Sequence, residues 1–526
     1  MNRHSVTGSR RLPALLAALA LTTLSARAAV QLASLFTSHM VLQCDQPVPV
    51  WGSADPGETV TVAFGGQTLV TQAGPNGAWR VNLAPLNVSA DSRSFTVTGS
   101  KTPSPIRLDD VVVGEVWLAS GQSNMEFSMS QKVKYFAGVT NEDAEIAAAH
   151  YPLLRMFTGD AAKLLAPTNR VGGTWLVCTP ETVPAFSAVG YFFARDLQRE
   201  IKRPVGIITE AFGASTAESW IRRETLAADP SLKPLLDSFD AKVQAFKTNP
   251  PPVVAAPRSE DVSARDTNRT ATATNAVAGR RRAPAVRDPV QDQHNATVLF
   301  NGMIQPVIPY AIRGVIWYQG ESIVGGAAGR ALYPHVQATL VRDWRALWAE
   351  GDFPFFIVQL AGQDADSNNP LVREAQAAIL ALPNTGMAVT TDIGERKNVH
   401  PKNKQDVGDR LARIALAKVY GRRLEYSGPV YKSMRVEGRQ VRLTFSHLGG
   451  GLVARGGPLK WFTIAGPNHK FVAAEAAIEG DTVVVHSDEV SEPEAVRYAW
   501  VNFPEGCNLF NAAGLPAPQF RTDAPR

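Results

Sequence analysis

Hydrophobic positions along the chain fall into three textures. Over residues 30–108 they come in short runs at 40–42, 48–51, 59–64, 79–83 and 94–97, separated by turn clusters such as Asp55-Pro56-Gly57 and Gly74-Pro75-Asn76-Gly77. Period-two runs at this spacing predict a small β-sandwich over residues 29–108. From 109 to about 238, and again from 291 to 421, apolar strands alternate with amphipathic helical stretches, Gly114 and Glu115 interrupting the first of them. The strands are 111–118, 205–208 after a helix at 191–201, 314–318, 355–360 and 387–391, which predicts a layered α/β domain with a largely parallel sheet over residues 109–422. Beyond residue 423 alternation returns at 441–445, 482–486 and 496–500, so a β-rich domain is expected over 423–526.

Two stretches belong to none of these textures. Residues 1–28 carry Arg3, Arg10 and Arg11, an apolar run from about 12 to 24 and then Ala26-Arg27-Ala28. That is the layout of a secretory signal peptide, with an apolar core too short to span a bilayer, and it predicts an exported protein, periplasmic or secreted. No later segment offers ~18 consecutive apolar residues, so no membrane span is expected in the mature chain. Residues 247–290 begin near Pro250-Pro251-Pro252, end near Arg280-Arg281-Arg282 and hold too few apolar side chains for a core. They read as a low-complexity insertion within the α/β domain.

Composition narrows the chemistry. A chain of 526 residues, 45% of them hydrophobic, builds about two to four cores. The net charge of +5 includes Arg3, Arg10, Arg11 and Arg27, which leaves 5 − 4 = +1 for the mature chain and removes any argument for nucleic-acid binding. Cys44, Cys178 and Cys507 are far apart and have neither zinc-site spacing nor a disulfide framework, so one disulfide with a spare thiol and three buried thiols are both open. No metal or cofactor is expected.

The remaining candidate is nucleophilic chemistry. Gly121-Gln122-Ser123-Asn124 follows the apolar strand at 111–118, and the carboxyl ends of parallel strands face the ligand crevice. Ser123 alone is an ordinary turn or helix-cap residue; as a nucleophile it needs a base. Of nine histidines His400 is the best placed, in the loop after strand 387–391 and before a helix at about 405–419. The same loop offers Asp392 and Glu395 as acids to fix the imidazole tautomer, Asp392 being the chosen third member. Candidate oxyanion donors are the N–H groups of Ser123 and Gly213 and the amide of Gln319, each after a different strand. Trp220, Trp317 and Tyr318 are candidates for stacking on a sugar ring, although a buried aromatic is the commoner fate.

Three ordered motifs carry a resemblance: residues 114–125, residues 301–304 leading into 313–322, and His400-Pro401-Lys402-Asn403-Lys404 with Gly408 and Arg410. Together they resemble the sialate O-acetylesterase family of SGNH-type esterases, and the likeness extends to 40–43 and 507–511. The resemblance implies a flavodoxin-like SGNH-hydrolase three-layer α/β/α domain beside the β-sandwich accessory domains, an acetylated carbohydrate substrate, Ser123 as nucleophile and His400 as base. Two departures stand out. Similar proteins often have Asp-Ile-His-Pro where this chain has Asn398-Val399-His400-Pro401, so the third triad member is Asp392, or Glu321, or is replaced by a Ser–His dyad supported by backbone carbonyls. A paired glycine after Phe212 is here Gly213-Ala214. A non-catalytic carbohydrate-binding protein and an exported lipase or thioesterase on the same fold are the competing readings.

Overall fold

The central strands are apolar along both faces, as a sheet covered on each side by helices requires. In the computed structural model, which describes residues 1, 30–102, 104–248, 287–323, 326–364 and 370–523, six strands form this sheet. They are β1 (Ile106–Gly121), β2 (Tyr151–Thr158), β3 (Val205–Ala211), β4 (Gly314–Tyr318), β5 (Phe355–Val358) and β6 (Thr385–Ala388). Their order is β2-β3-β1-β4-β5-β6, every neighbouring pair is parallel, and Trp175–Cys178 adds an antiparallel edge outside β2. Without β2 this is the doubly wound order 2-1-3-4-5, with the topological switch at β1. Of the expected signal segment only Met1, and of the expected insertion only its ends, fall within the described residues.

Helices cover both faces. The helices used below are α1 (Ser123–Glu126), α2 (Ala188–Ile201), α3 (Lys233–Thr248), α4 (Gly326–Trp348), α5 (Pro370–Ala377) and α6 (Lys404–Lys418). On one face Phe192 and Phe193 of α2 and Leu411 and Ile414 of α6 join Trp117, Ile316 and Phe356 in one core. Gly408 allows the contact between these two helices, because a Cβ there would lie 2.7 Å from the Phe193 nitrogen. On the opposite face Leu340 and Trp344 of α4 pack with Val315, Trp317 and Phe355.

Strand β1 also belongs to the N-terminal region. Its first half pairs with Ser89–Gly99 and Val41–Gln43, while a separate three-stranded sheet packs into the same core. The expected division at 108/109 therefore falls inside a continuous strand. A bulge marks the transition: Arg93 pairs with Val111 but Phe95 with Leu108, and Asp110 takes a left-handed φ of 58°. Arg155 holds it there, donating from Nη1 to the Asp110 carbonyl at 2.8 Å. Further along β1, Glu115 is fully buried and accepts from Arg313 Nε at 2.7 Å, Arg203 Nη1 at 3.1 Å and Gln43 Nε2 at 3.3 Å.

The C-terminal region is β-rich, with two four-stranded sheets and one two-stranded sheet around Leu443, Ile464, Val483 and Val496. Arg373 of α5 ties it to the α/β layers through the Val501 and Asn502 carbonyls and Gln519. Cys44, Cys178 and Cys507 are buried free thiols.

Removing the Glu115 carboxylate strands two guanidinium groups against the middle of β1. Glu115→Ala is expected to lower stability by about 3 kcal/mol, the lower end for a broken buried ion pair because Arg203 reaches solvent, read as a fall in the urea midpoint.

Candidate active site

Ser123 begins α1 immediately beyond β1, and the local chain has little freedom to do otherwise. Gly121 has φ 137°, and a Cβ on it would lie 2.2 Å from the Tyr318 carbonyl, which instead accepts the Gln122 N–H at 2.9 Å. The turn therefore needs glycine, and it delivers Ser123 to the first turn of a helix, where backbone N–H groups lack intrahelical acceptors. His400 arrives from the loop after β6. Its Nε2 lies 2.8 Å from Ser123 Oγ, so the two residues stand within hydrogen-bonding reach. The imidazole sits against Phe136, with centroids 4.8 Å apart, and near Phe127.

Burial first, and then the charge of Lys404, pushes the His400 imidazole down to about 4, so it is neutral at physiological pH. Lys404 is itself wholly buried, stacked over Phe127 and Tyr318, and desolvation pushes its ammonium down to about 7. Its Nζ donates to Asn124 Oδ1 at 2.5 Å, while Asn124 Nδ2 donates to the Val399 carbonyl at 2.9 Å and to Glu321 Oε1 at 2.5 Å. Asn124 thus clamps the serine turn, the histidine loop and the β4 loop together. Asn124 and Lys404 lay in the quoted motifs, but sequence gave them no role; a lysine and an asparagine buried beside apolar strand ends were the available signal.

The structure corrects the orienting acid. Both oxygens of Asp392 are held by Arg410, Oδ1 and Oδ2 each accepting at 2.7 Å, and among the described residues no carboxylate accepts from His400. Arg410, one turn into α6, captures the carboxylate that the loop was expected to turn toward the imidazole. Glu321 is committed to Asn124, and burial raises its carboxyl. Beside His400 stands Asn398, which accepts the His400 N–H at 3.0 Å and donates to the His400 carbonyl and to Glu395 Oε2, each at 2.9 Å. Glu395 also accepts the Lys402 N–H at 2.7 Å, which closes the loop into a fixed turn.

The expected oxyanion donors are not equally available. A Cβ built on Gly213 would lie 3.5 Å from Ser123 Cβ, yet the Gly213 N–H donates to Glu126 Oε2 at 2.7 Å, and Glu126 pairs with Lys134. Gln319 Nε2 gives a hydrogen to the Ser215 carbonyl at 3.0 Å, and its Oε1 accepts from Tyr333 at 2.8 Å. Ala214, in place of the second glycine, adopts φ 54° in the left-handed region. The expected sugar platform is also corrected. Trp220, Trp317 and Tyr318 are at most 1% exposed, and Trp220, Trp317 and Trp344 form edge-to-face pairs at 6.0 and 5.8 Å, because the fully apolar β4 turns its aromatic side chains into the two cores.

Among the described residues one group has metal-ligand chemistry, Cys44 with Asp45 and Glu115. It lies about half-way along β1, away from the turn that carries Ser123, and Glu115 is already paired with two arginines. Among the described residues no helix is long and apolar enough to cross a membrane.

Comparison with known proteins gives this arrangement a setting. A family model described as carbohydrate esterase, sialic acid-specific acetylesterase, matches residues 292–417. The sialate O-acetylesterase of Rattus norvegicus is 27% identical over 93% of this chain and 93% of its own, and that of Mus musculus 28% identical over 94% and 95%. The crystal structure of a carbohydrate acetylesterase from Xanthomonas citri is 34% identical, covers 94% of this chain and 100% of its own, and superposes with a TM-score of 0.77. The mixed α/β fold and these relatives make the chain an esterase enzyme of the carbohydrate-acetylesterase class. It belongs to the sialate O-acetylesterase family.

Two outcomes follow from this geometry. Because His400 is held well below the ordinary 6.5, its neutral form persists down to about pH 4; the acid limb of kcat/KM is expected near pH 4 and moves upward in Lys404→Met. Asp392→Asn is expected to lower the urea midpoint by the equivalent of about 3 kcal/mol or more through loss of the buried Arg410 pair, while the acid limb stays where it was.

Proposed function

We propose that the chain removes O-acetyl groups from carbohydrates through an acetyl-enzyme on Ser123. The observation that carries this reading is the Ser123 Oγ to His400 Nε2 distance of 2.8 Å at the carboxyl end of the switch-point strand. In the first step neutral His400 takes the serine proton as Oγ attacks the acetyl carbonyl. It then protonates the departing sugar oxygen, and water repeats the sequence on the acetyl-enzyme. The Ser123 N–H and the second amide hydrogen of Gln319 serve the oxyanion, joined by the Gly213 N–H once Glu126 releases it. A Ser–His dyad replaces the triad, with Asn398 and the Val399 clamp holding the backbone of the His400 loop. The strand order supports assigning residues 109–422 to an SGNH-type three-layer catalytic domain, with residues 29–108 and 423–526 as accessory β domains. The basic, apolar, small-residue leader supports export.

Sialic acids are the substrate class in the names of the rodent relatives, and carbohydrate in that of the Xanthomonas enzyme. Acetylated sialosides and acetylated plant glycans such as xylan or xyloglucan are accordingly the substrates to compare. Ser123→Ala and His400→Ala are each expected to reduce acetate release from such a panel by on the order of 10⁶-fold with the fold intact, the loss found in a well-studied serine hydrolase. Ordinary turnover in Ser123→Ala would refute the acetyl-enzyme.

Glu126 gives a second measurement. Its carboxylate on the Gly213 donor opposes negative charge on the oxyanion, so Glu126→Gln is expected to raise kcat/KM for a small acetyl ester by up to about tenfold, 1.4 kcal/mol. A fall of similar size would instead make Glu126 the residue that holds the Gly213 loop in place.

A further inference from the structure

A cavity of about 350 Å³ opens on the α3–α4 side of the sheet, and Gln319 is part of its wall. Tyr318 is paired with Gly121, so Gln319 stands one strand spacing, about 5 Å, from the turn that carries Ser123. Tyr333 of α4, also in the cavity wall, fixes the Gln319 carboxamide by donating to Oε1 at 2.8 Å. The candidate oxyanion residue and the cavity therefore share one immobilised side chain.

Size and lining indicate what would enter. The volume lies in the range of small-molecule sites and is far more than an acetyl group fills. Leu235, Leu332 and Ile323 supply apolar walls, whereas Glu218, Ser238 and Lys242 supply polar groups. Lys242 Nζ donates to Asn295 Oδ1 at 2.8 Å, which uses one of its three hydrogens. Burial raises the Glu218 carboxyl, whose oxygens can accept hydrogen bonds. A hydrocarbon acyl chain would leave these groups without partners, at a cost for each one desolvated. A pyranose ring offers C–H faces to the leucines and hydroxyls to the polar groups.

We infer that this cavity holds the sugar ring that carries the acetyl ester, with Lys242, Glu218 and Ser238 reading its hydroxyls. This assignment rests on the acetylesterase reading above and names where that enzyme finds its alcohol specificity. The lipase or thioesterase alternative would need the same cavity to accept an acyl chain.

Ser238 and Lys242 are exposed on α3, so the fold tolerates changes there. Ser238→Trp fills the cavity and Lys242→Met removes a donor. Each is expected to raise KM for acetylated xylo-oligosaccharides or an O-acetylated sialoside about tenfold or more, a larger factor than for p-nitrophenyl acetate, whose leaving group has no hydroxyls to be read. Calorimetric titration of the same glycans into Ser123→Ala protein, with and without Ser238→Trp, measures the cavity independently of the chemistry. Weakened binding in the double variant supports the assignment even if Ser123 proves not to be the nucleophile. Unchanged glycan KM and binding in both cavity variants, an equal loss on glycan and on p-nitrophenyl acetate, or better use of p-nitrophenyl octanoate than of the glycans by the parent enzyme would each overturn it.

Discussion

The structure depends on one strand serving two sheets. Residues 106–121 run from the N-terminal β region into the centre of the parallel sheet, and the pairing of the first half shifts register twice, once at Asp110. A strand that passes through two cores cannot slip by one residue without turning both apolar faces outward, so its register is fixed from both ends. Glu115 strengthens this by requiring Arg203 just before β3, Arg313 just before β4 and Gln43 in the N-terminal region to meet at one carboxylate. What emerges at the far end, Gly121 and then Ser123, is placed to within the tolerance of that register. The N-terminal region is in this sense part of the mechanism that positions the serine turn.

At the top of the sheet Asn124 has the corresponding role. Helix α1 is a single turn, too short to be stable alone, and its residues are fixed by what they bond. Asn124 is 1% exposed and uses both ends of its amide, with Lys404 on the oxygen and Val399 and Glu321 on the nitrogen. Lys404 and Glu321 each hydrogen-bond to the same neutral amide, which gives both side chains a partner in the interior. The clamp joins the segments on either side of the Ser123–His400 pair, whose two residues are half-buried.

Much of the fold was legible because its signals are local. Fully apolar runs at 205–208, 314–318 and 355–358 can only be strands buried on both faces, and the helices between them follow from their amphipathic period. The expected domain boundary at 108/109 falls inside β1, because apolarity changes there while the strand continues. Ser123 and His400 were legible as the residues at two strand ends, and the structure brings them together. Asp392 was misread for a reason of the same kind: a carboxylate on the loop is visible in sequence, but Arg410 competing for it from α6 is a tertiary fact. Trp220, Trp317 and Tyr318 followed the commoner fate of large aromatics beside a parallel strand, the core.

A histidine without a carboxylate partner must be tuned by other means, and the surroundings of His400 point in one direction. Burial between phenylalanines and the nearby Lys404 ammonium both disfavour imidazolium, where a triad carboxylate would favour it. Under the proposed mechanism such an imidazole is a weak base during attack but, once protonated, a strong acid during collapse of the tetrahedral intermediate. A sugar hydroxyl is a poor leaving group unless it is protonated as it departs. The loss of an acid at Asn398 therefore shifts assistance from the first proton transfer to the second. Asn398 and Asn124 instead fix the loop backbone that carries His400, one through the His400 main-chain N–H and the other through the Val399 carbonyl.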